Sequence, residues 1–291
     1  MLINSRPVKL STRTGITVSR TIPHRNLKTI SAWCFVDHFG PTEQTEAMVV
    51  AAHPHTGLQT VTWLFEGEIE HRDSIGSNQA IRPGQLNLMT AGFGISHSEL
   101  SLATTDSLHA VQLWIALPEE SLNIAPSFEH HVELPVVTAA GFRATVLIGE
   151  LLGIKSPATS FTDLVGAELI IEPGTHRIEL RTDYEYGFVL IAGTAKAQGE
   201  DLAVSDLLYV ARGESTIEIS SSSGATLMLL GGVPLKEKII MWWNFIGRSH
   251  QDVVDAREAW NTRSYRFGEF EDQIGGWIPA PELPGVRLQA R

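Results

Sequence analysis

His53-Pro54-His55 and His97-Ser98-Glu99 put four metal-binding side chains into two short segments. On an extended strand, side chains two apart point the same way. His53 and His55 can therefore face one side together, and so can His97 and Glu99. Brought side by side, the two segments converge three imidazoles and one carboxylate. That donor set is borderline to hard and suits Fe, Mn, Ni, Cu or Zn. Each pair alone is a weak pattern. Two pairs bracketing a β-rich stretch of about barrel size are far more specific.

The elements that must position these residues read as short strands broken by glycine and proline. Met48–Ala52 is a small apolar strand running straight into His53. Pro54 cannot donate to a ladder, so this strand belongs at an edge or a mouth. Thr60–Glu66 and Glu68–Arg72 are expected to form a hairpin around Gly67. Val61, Trp63 and Phe65 alternate with Thr62 and Leu64, as in a strand covered on both faces. Pro83-Gly84 is a turn, Leu86–Thr90 a strand, and Ala91-Gly92-Phe93-Gly94 a tight path that delivers Ile95–Leu100. His109–Ala116 is a further β run. Upstream, Gly15 supplies a turn and Asp37-His38-Phe39-Gly40-Pro41 reads as a loop. So many evenly spaced strands mean a sandwich or barrel rather than a βαβ fold.

The chain has 291 residues, 43% of them hydrophobic, enough for a large core and two domains. No run approaches the roughly 20 apolar residues of a membrane helix. The start, Met1-Leu2-Ile3-Asn4-Ser5-Arg6, lacks the apolar stretch of a signal peptide. The single cysteine, Cys34, rules out an intramolecular disulfide and fits a reducing cytoplasm, where it is expected as a buried small hydrophobe. The formal net charge of −11 argues against direct nucleic-acid contact. His24 and His38 read as polar residues bonded locally.

Residues 117–135 read as a connector, with His130-His131 as a solvated pair within it. The expected domains are 1–135, carrying the metal site, and 136–291, carrying none. A faint repeat supports the division. Matching Gly67 to Gly193 carries His53 to Glu179 and His55 to Arg181, and a Ser220–Gly224 turn takes the place of His-x-Glu. Near the end, Met241–Phe245 reads as aromatic packing between the halves. Ser249 caps a short helix on which Val253, Ala256 and Trp260 share a face, and 263–291 is expected as an irregular tail.

Glu66-Gly67-Glu68-Ile69-Glu70-His71-Arg72-Asp73-Ser74, Ile81-Arg82-Pro83-Gly84, Met89-Thr90-Ala91-Gly92 and Gly94-Ile95-Ser96-His97-Ser98-Glu99, together with His53-Pro54-His55, closely resemble the pirin family over about residues 15–120. Trp242–Ser249 looks like its bacterial members. The resemblance implies an all-β bicupin of two face-to-face β-sandwich barrels with a short C-terminal helix. It implies one divalent metal, iron first with Mn, Ni, Co, Cu or Zn as alternatives, held by His53, His55, His97 and Glu99. In the general cupin pattern a glutamate follows the His-x-His pair by a few residues. Here Gln59 and Thr60 stand there, and Glu99 supplies the carboxylate, as in pirins.

Several pirins resemble quercetin 2,3-dioxygenases, which open a flavonol ring with O2. Four protein ligands leave a metal one or two open positions for the substrate hydroxyl, and Glu99 could act as catalytic base. Trp63, Met89 and Phe93 are candidate apolar walls, each of which reads first as plain core. The rival class is a non-enzymatic regulator that senses redox state through iron and binds a transcription factor or metabolic enzyme. A cupin isomerase is a third reading. The expected partners are a flavonol-like small molecule and, for the regulator, a protein; the expected state is a cytoplasmic monomer.

Overall fold

The computed structural model describes residues 1–10, 17–43, 48–102, 107–269 and 276–290. Strands dominate, with one α-helix among the described residues, α1 (His250–Asn261). The turn expected at Gly15 lies outside the described residues. Among the described residues, no helix is long and apolar enough to cross a membrane.

The chain folds into two compact units, and they are not consecutive halves. The unit with the histidine pairs, here the site unit, comprises Lys9–Thr17, Phe39–His130 and Lys236–Arg291. Its sister comprises Met1–Val8, Val18–His38 and His131–Leu235. The division at 130/131 falls near the expected 135, but both termini depart from the scheme of 1–135 and 136–291. Two pairings explain this. Leu2–Ile3 adds to the Leu207–Val210 strand, so the N-terminus joins the sister unit. Trp33 also belongs there, its buried indole Nε1–H bonding Val165 O at 3.1 Å.

Within the site unit, one sheet runs in the order Ser127–His131, Leu86–Thr90, Leu58–Glu66, Ser107–Ala116, followed by the end of Trp33–Glu43. A four-stranded sheet runs Val49–His55, Ile95–Ser101, Ile69–Asp73, Asn78–Ile81. The expected hairpin around Gly67 is therefore not one, because its two arms lie in different sheets. Gly67 has φ 92°, and a Cβ there would sit 2.8 Å from Ser107 O, so only glycine can turn the chain over. Asp37–Pro41 is likewise strand rather than loop, inside Trp33–Glu43. Gly40 serves close strand approach, since a Cβ would meet Leu108 O at 2.0 Å.

The sister unit repeats the plan. A large sheet contains Glu185–Gly193 between Leu207–Val210 and Ala225–Gly232, and a four-stranded sheet begins Gly174–Glu179, Thr216–Ser221. The sequence offset misses its inward face by one residue. Glu179 and Arg181 are exposed, whereas Ile178 and Leu180 point into the core. Ile178 pairs with Ile217, and Ile219 follows on the same face, so apolar side chains stand where the site unit has His53, His97 and Glu99. The place of His-x-Glu is thus taken by Ile217-x-Ile219, not by the Ser220–Gly224 turn.

Residues 242–245 pack within the site unit and there join the two expected stretches of chain, since Phe245 pairs with Thr56. Phe245 joins Val253, Ala256 and Trp260 of α1 and Phe267 in one cluster. Ser249 caps α1 in a full capping box with Asp252. Residues 276–290 of the tail are irregular but anchored: Trp260 Nε1 donates to Ile278 O at 2.8 Å. Cys34 is buried. His24 accepts a local bond from Asn26 N, whereas His38 finds Ser205 Oγ at 2.7 Å, far away in sequence.

Candidate metal centre

Three neighbouring strands carry the site. Ile95–Ser101 lies between Val49–His55 and Ile69–Asp73. The register sets His97 opposite His53 on one side and Asp73 on the other, and Glu99 opposite His71. Alternation then brings His53, His55, His71, Asp73, His97 and Glu99 to one face. Beyond His97 the register shifts, so that Glu99 stands opposite Val50 rather than Ala51. Pro54 is tolerated because its strand is the sheet edge, as expected. That edge is covered by the C-terminal segment, through Ala52 N to Gly276 O at 3.0 Å and Ile278 N to Ala52 O at 2.9 Å.

The donor atoms fall into two overlapping groups. Those of His53, His55 and His97 lie within 4.8 Å of one another, and so do those of His71, His97 and Glu99. The three expected histidine ligands thus come together, while Glu99 sits beside His97 and His71 rather than in the first group. His71 and Asp73 are the residues that sequence reasoning missed. The signal was present: His71-x-Asp73 has the same spacing of two as the recognised pairs.

Hydrogen bonding sets the tautomers. His53 Nδ1 donates to Ala51 O at 2.9 Å, which leaves Nε2 with its lone pair. His55 Nε2 and His97 Nε2 face each other at 3.1 Å. In its neutral Nε2–H tautomer His71 donates to Asp73 Oδ2 at 3.1 Å, and its Nδ1 then accepts. It accepts from His97 Nδ1 at 3.3 Å, and His97 Nε2 is left bare. Asp73 is fixed in turn, its Oδ1 accepting from Ile75 N at 3.0 Å and Ser77 N at 2.9 Å. A carboxylate–histidine–histidine relay therefore aims one nitrogen at the first group.

The electrostatics suit cation binding. Burial holds His53 down to about 4, and burial also depresses His55 and His97, helped by their mutual repulsion. All three are neutral at pH 7, as ligands must be. Glu99 keeps part of its surface in solvent, but burial of its carboxyl raises it, opposed by His71 and Thr62. For Asp73, burial pushes upward, yet the bonds from His71 and Ser77 outweigh it and the net shift is downward. Buried lone pairs on three neutral imidazoles, with a carboxylate adjoining, fit a divalent cation better than any apolar filling.

The larger sheet closes the other side. Trp114 meets the His55 ring edge-on at 5.1 Å, and Phe128 stacks on His71 at 4.5 Å. Thr62 Oγ1 reaches Glu99 Oε1 at 3.5 Å and Gln112 Oε1 at 3.1 Å. Met89 pairs with Thr60 and packs with Ala91, Ile95 and Phe128, so it shares the inner face. Trp63 alternates to the opposite face and is buried there as core. Phe93 is partly exposed beneath the Arg266 guanidinium, 4.8 Å from the ring centre. His130 is not a solvated linker residue; it lies in a strand and bonds Asn87 Oδ1 through Nδ1 at 2.7 Å.

Residues 15–115 match the Pirin family, and residues 167–268 match the Pirin C-terminal cupin domain. A Pseudomonas aeruginosa protein named "putative quercetin 2,3-dioxygenase" is 44% identical over 93% of this chain and 87% of its own. A pirin-like protein of Caulobacter vibrioides is 35% identical over 91% of this chain and 94% of its own. A crystal structure of quercetin 2,3-dioxygenase from Acinetobacter baumannii superposes with a TM-score of 0.94 at 42% identity, covering 99% of this chain and 97% of that one. The fold is the bicupin fold of these relatives.

Proposed function

We propose that this chain, which belongs to the pirin family, is a metal-dependent oxygenase that opens the ring of a flavonol-type substrate with O2. The carrying observation is the buried trio His53, His55 and His97, whose donor atoms lie within 4.8 Å of one another and whose rings burial keeps neutral. In this reading the three histidines and Glu99 hold one divalent cation, iron before Mn, Ni, Co, Cu or Zn. When bound, the cation supplies Lewis acidity toward a substrate hydroxyl and, if iron, a one-electron couple. The names of the Pseudomonas and Acinetobacter relatives support the substrate class.

The protein's own part is orientation and proton handling. The Asp73–His71 relay turns the His97 ring so that Nε2 faces inward. Glu99 takes the proton from the flavonol hydroxyl at a carboxylate oxygen, and its raised pKa makes it a better base than a free glutamate. Thr62 holds Oε1. Trp114 and Phe128 limit water on the ring side of the histidines.

The test is loss of quercetin's visible absorbance under air with protein loaded in turn with Fe, Mn, Ni and Co. Loss with at least one metal is expected, and none with His97→Ala, which should also lose most of its metal. A wild-type protein that holds metal yet leaves quercetin intact removes the oxygenase reading and returns the site to redox sensing. Unchanged metal content in His97→Ala removes the ligand set.

A further inference from the structure

We propose that His130, Asn87, Thr62 and Gln112 form a recognition row for the ring hydroxyls of a hydroxylated aromatic substrate. The proposal rests on the flavonol reading above and names how that substrate would be selected.

The four residues come from four adjacent strands of the larger sheet. Asn87 stands directly opposite Thr62, and Thr62 directly opposite Gln112. His130 completes the line through its 2.7 Å bond to Asn87 Oδ1. Partners directly opposite in a ladder share a face. The row therefore looks where Thr62 looks, toward Glu99 at 3.5 Å. Phe128, two residues before His130 on the same strand face, stacks on His71 and confirms the direction.

Among the described residues, packing leaves one buried polar atom of this row without a partner. Asn87 is buried in the strand Leu86–Thr90, between Leu86 and Leu88. A buried amide is ordinarily satisfied at both ends. Its Oδ1 is taken by His130, but Nδ2 is buried with no partner among the described residues. Turning the amide over changes which atom is left, not whether one is left. A hydroxyl both donates and accepts, so it satisfies either arrangement. Thr62 and Gln112, bonded to each other at 3.1 Å, continue the polar row, and His130 and Gln112 are only half-buried at its two ends. The flat Phe128 ring beside the row offers a stacking surface for an aromatic ligand.

The experiment is equilibrium binding to zinc-loaded full-length protein, in which zinc has no redox chemistry to drive turnover. The probes are 3-hydroxyflavone, with the metal-binding hydroxyl alone, and quercetin, which adds ring hydroxyls. Wild type should bind quercetin about tenfold more tightly. Asn87→Leu should erase that gap by weakening quercetin while 3-hydroxyflavone stays within about twofold. His130→Ala, at a half-buried position, should narrow the gap in the same way even if Asn87→Leu folds poorly. Variants that weaken both probes equally, or neither, overturn the row while leaving the flavonol reading in place. Failure of wild type to bind either probe overturns the flavonol reading and the row with it.

Discussion

Asp73→Asn isolates the relay behind His97 with a change of one atom's chemistry. With His71 and His97 neutral, the relay gives each of its protons one place: His71 Nε2–H on Asp73 Oδ2, and His97 Nδ1–H on His71 Nδ1. Oδ1 of residue 73 must still accept from Ile75 N and Ser77 N, so the new amide NH2 faces His71 Nε2. That nitrogen then has to accept, which moves the His71 proton to Nδ1, where it meets His97 Nδ1. His97 can answer only by carrying its proton on Nε2, the atom that must be bare to bind a cation. Rotating the amide restores the relay but points NH2 at two backbone donors. Outer-shell changes of this kind cost about 10- to 100-fold in metal affinity, or about 1.4–2.7 kcal/mol. The assay is competition for metal against a chromophoric chelator at pH 7, with thermal melting of the metal-free protein as control. Alanine is the poorer probe, because it also removes the turn bonds of Oδ1. An Asp73→Asn protein that melts normally and binds metal within about twofold of wild type would refute the proton inventory.

Metal-free protein should lose stability as pH falls from 7 to 5. A His53 pKa of about 4, against 6.5 when unfolded, means that the unfolded chain binds more protons in this range, so stability rises with pH. The contribution of His53 is about 2 kcal/mol between pH 7 and 5, with His55 and His97 adding in the same direction and Glu99, whose pKa is raised, working against them. Denaturant titrations of metal-free protein at pH 7, 6 and 5 check this; a flat profile contradicts it. Ser249→Ala should cost about 1 kcal/mol by uncapping α1, read as a lower denaturation midpoint at unchanged m-value.

Much of the site was readable in the chain because strand geometry has a period of two. His53-x-His55 and His97-x-Glu99 declare a shared face wherever the strand goes, and Pro54 declares an edge. Pairing partners are not local, and there the reading stopped. Whether Gly67 closes a hairpin or passes the chain between sheets depends on what approaches it, here Ser107 O. Which residue of the sister unit answers His53 depends on a one-residue shift, and such a shift exchanges every inward side chain for an outward one. His71 and Asp73 had the right spacing, but only the register of Ile69–Asp73 against Ile95–Ser101 set them behind His97 and Glu99. His130 sat in what read as a connector until strand addition brought it to Asn87. The sequence by itself determined the β architecture, the family and the three histidines that meet. The tertiary structure alone decided the segment exchange at the termini, the relay and the polar row, because each rests on hydrogen bonds between strands distant in the chain, and no local pattern encodes which strands will lie side by side.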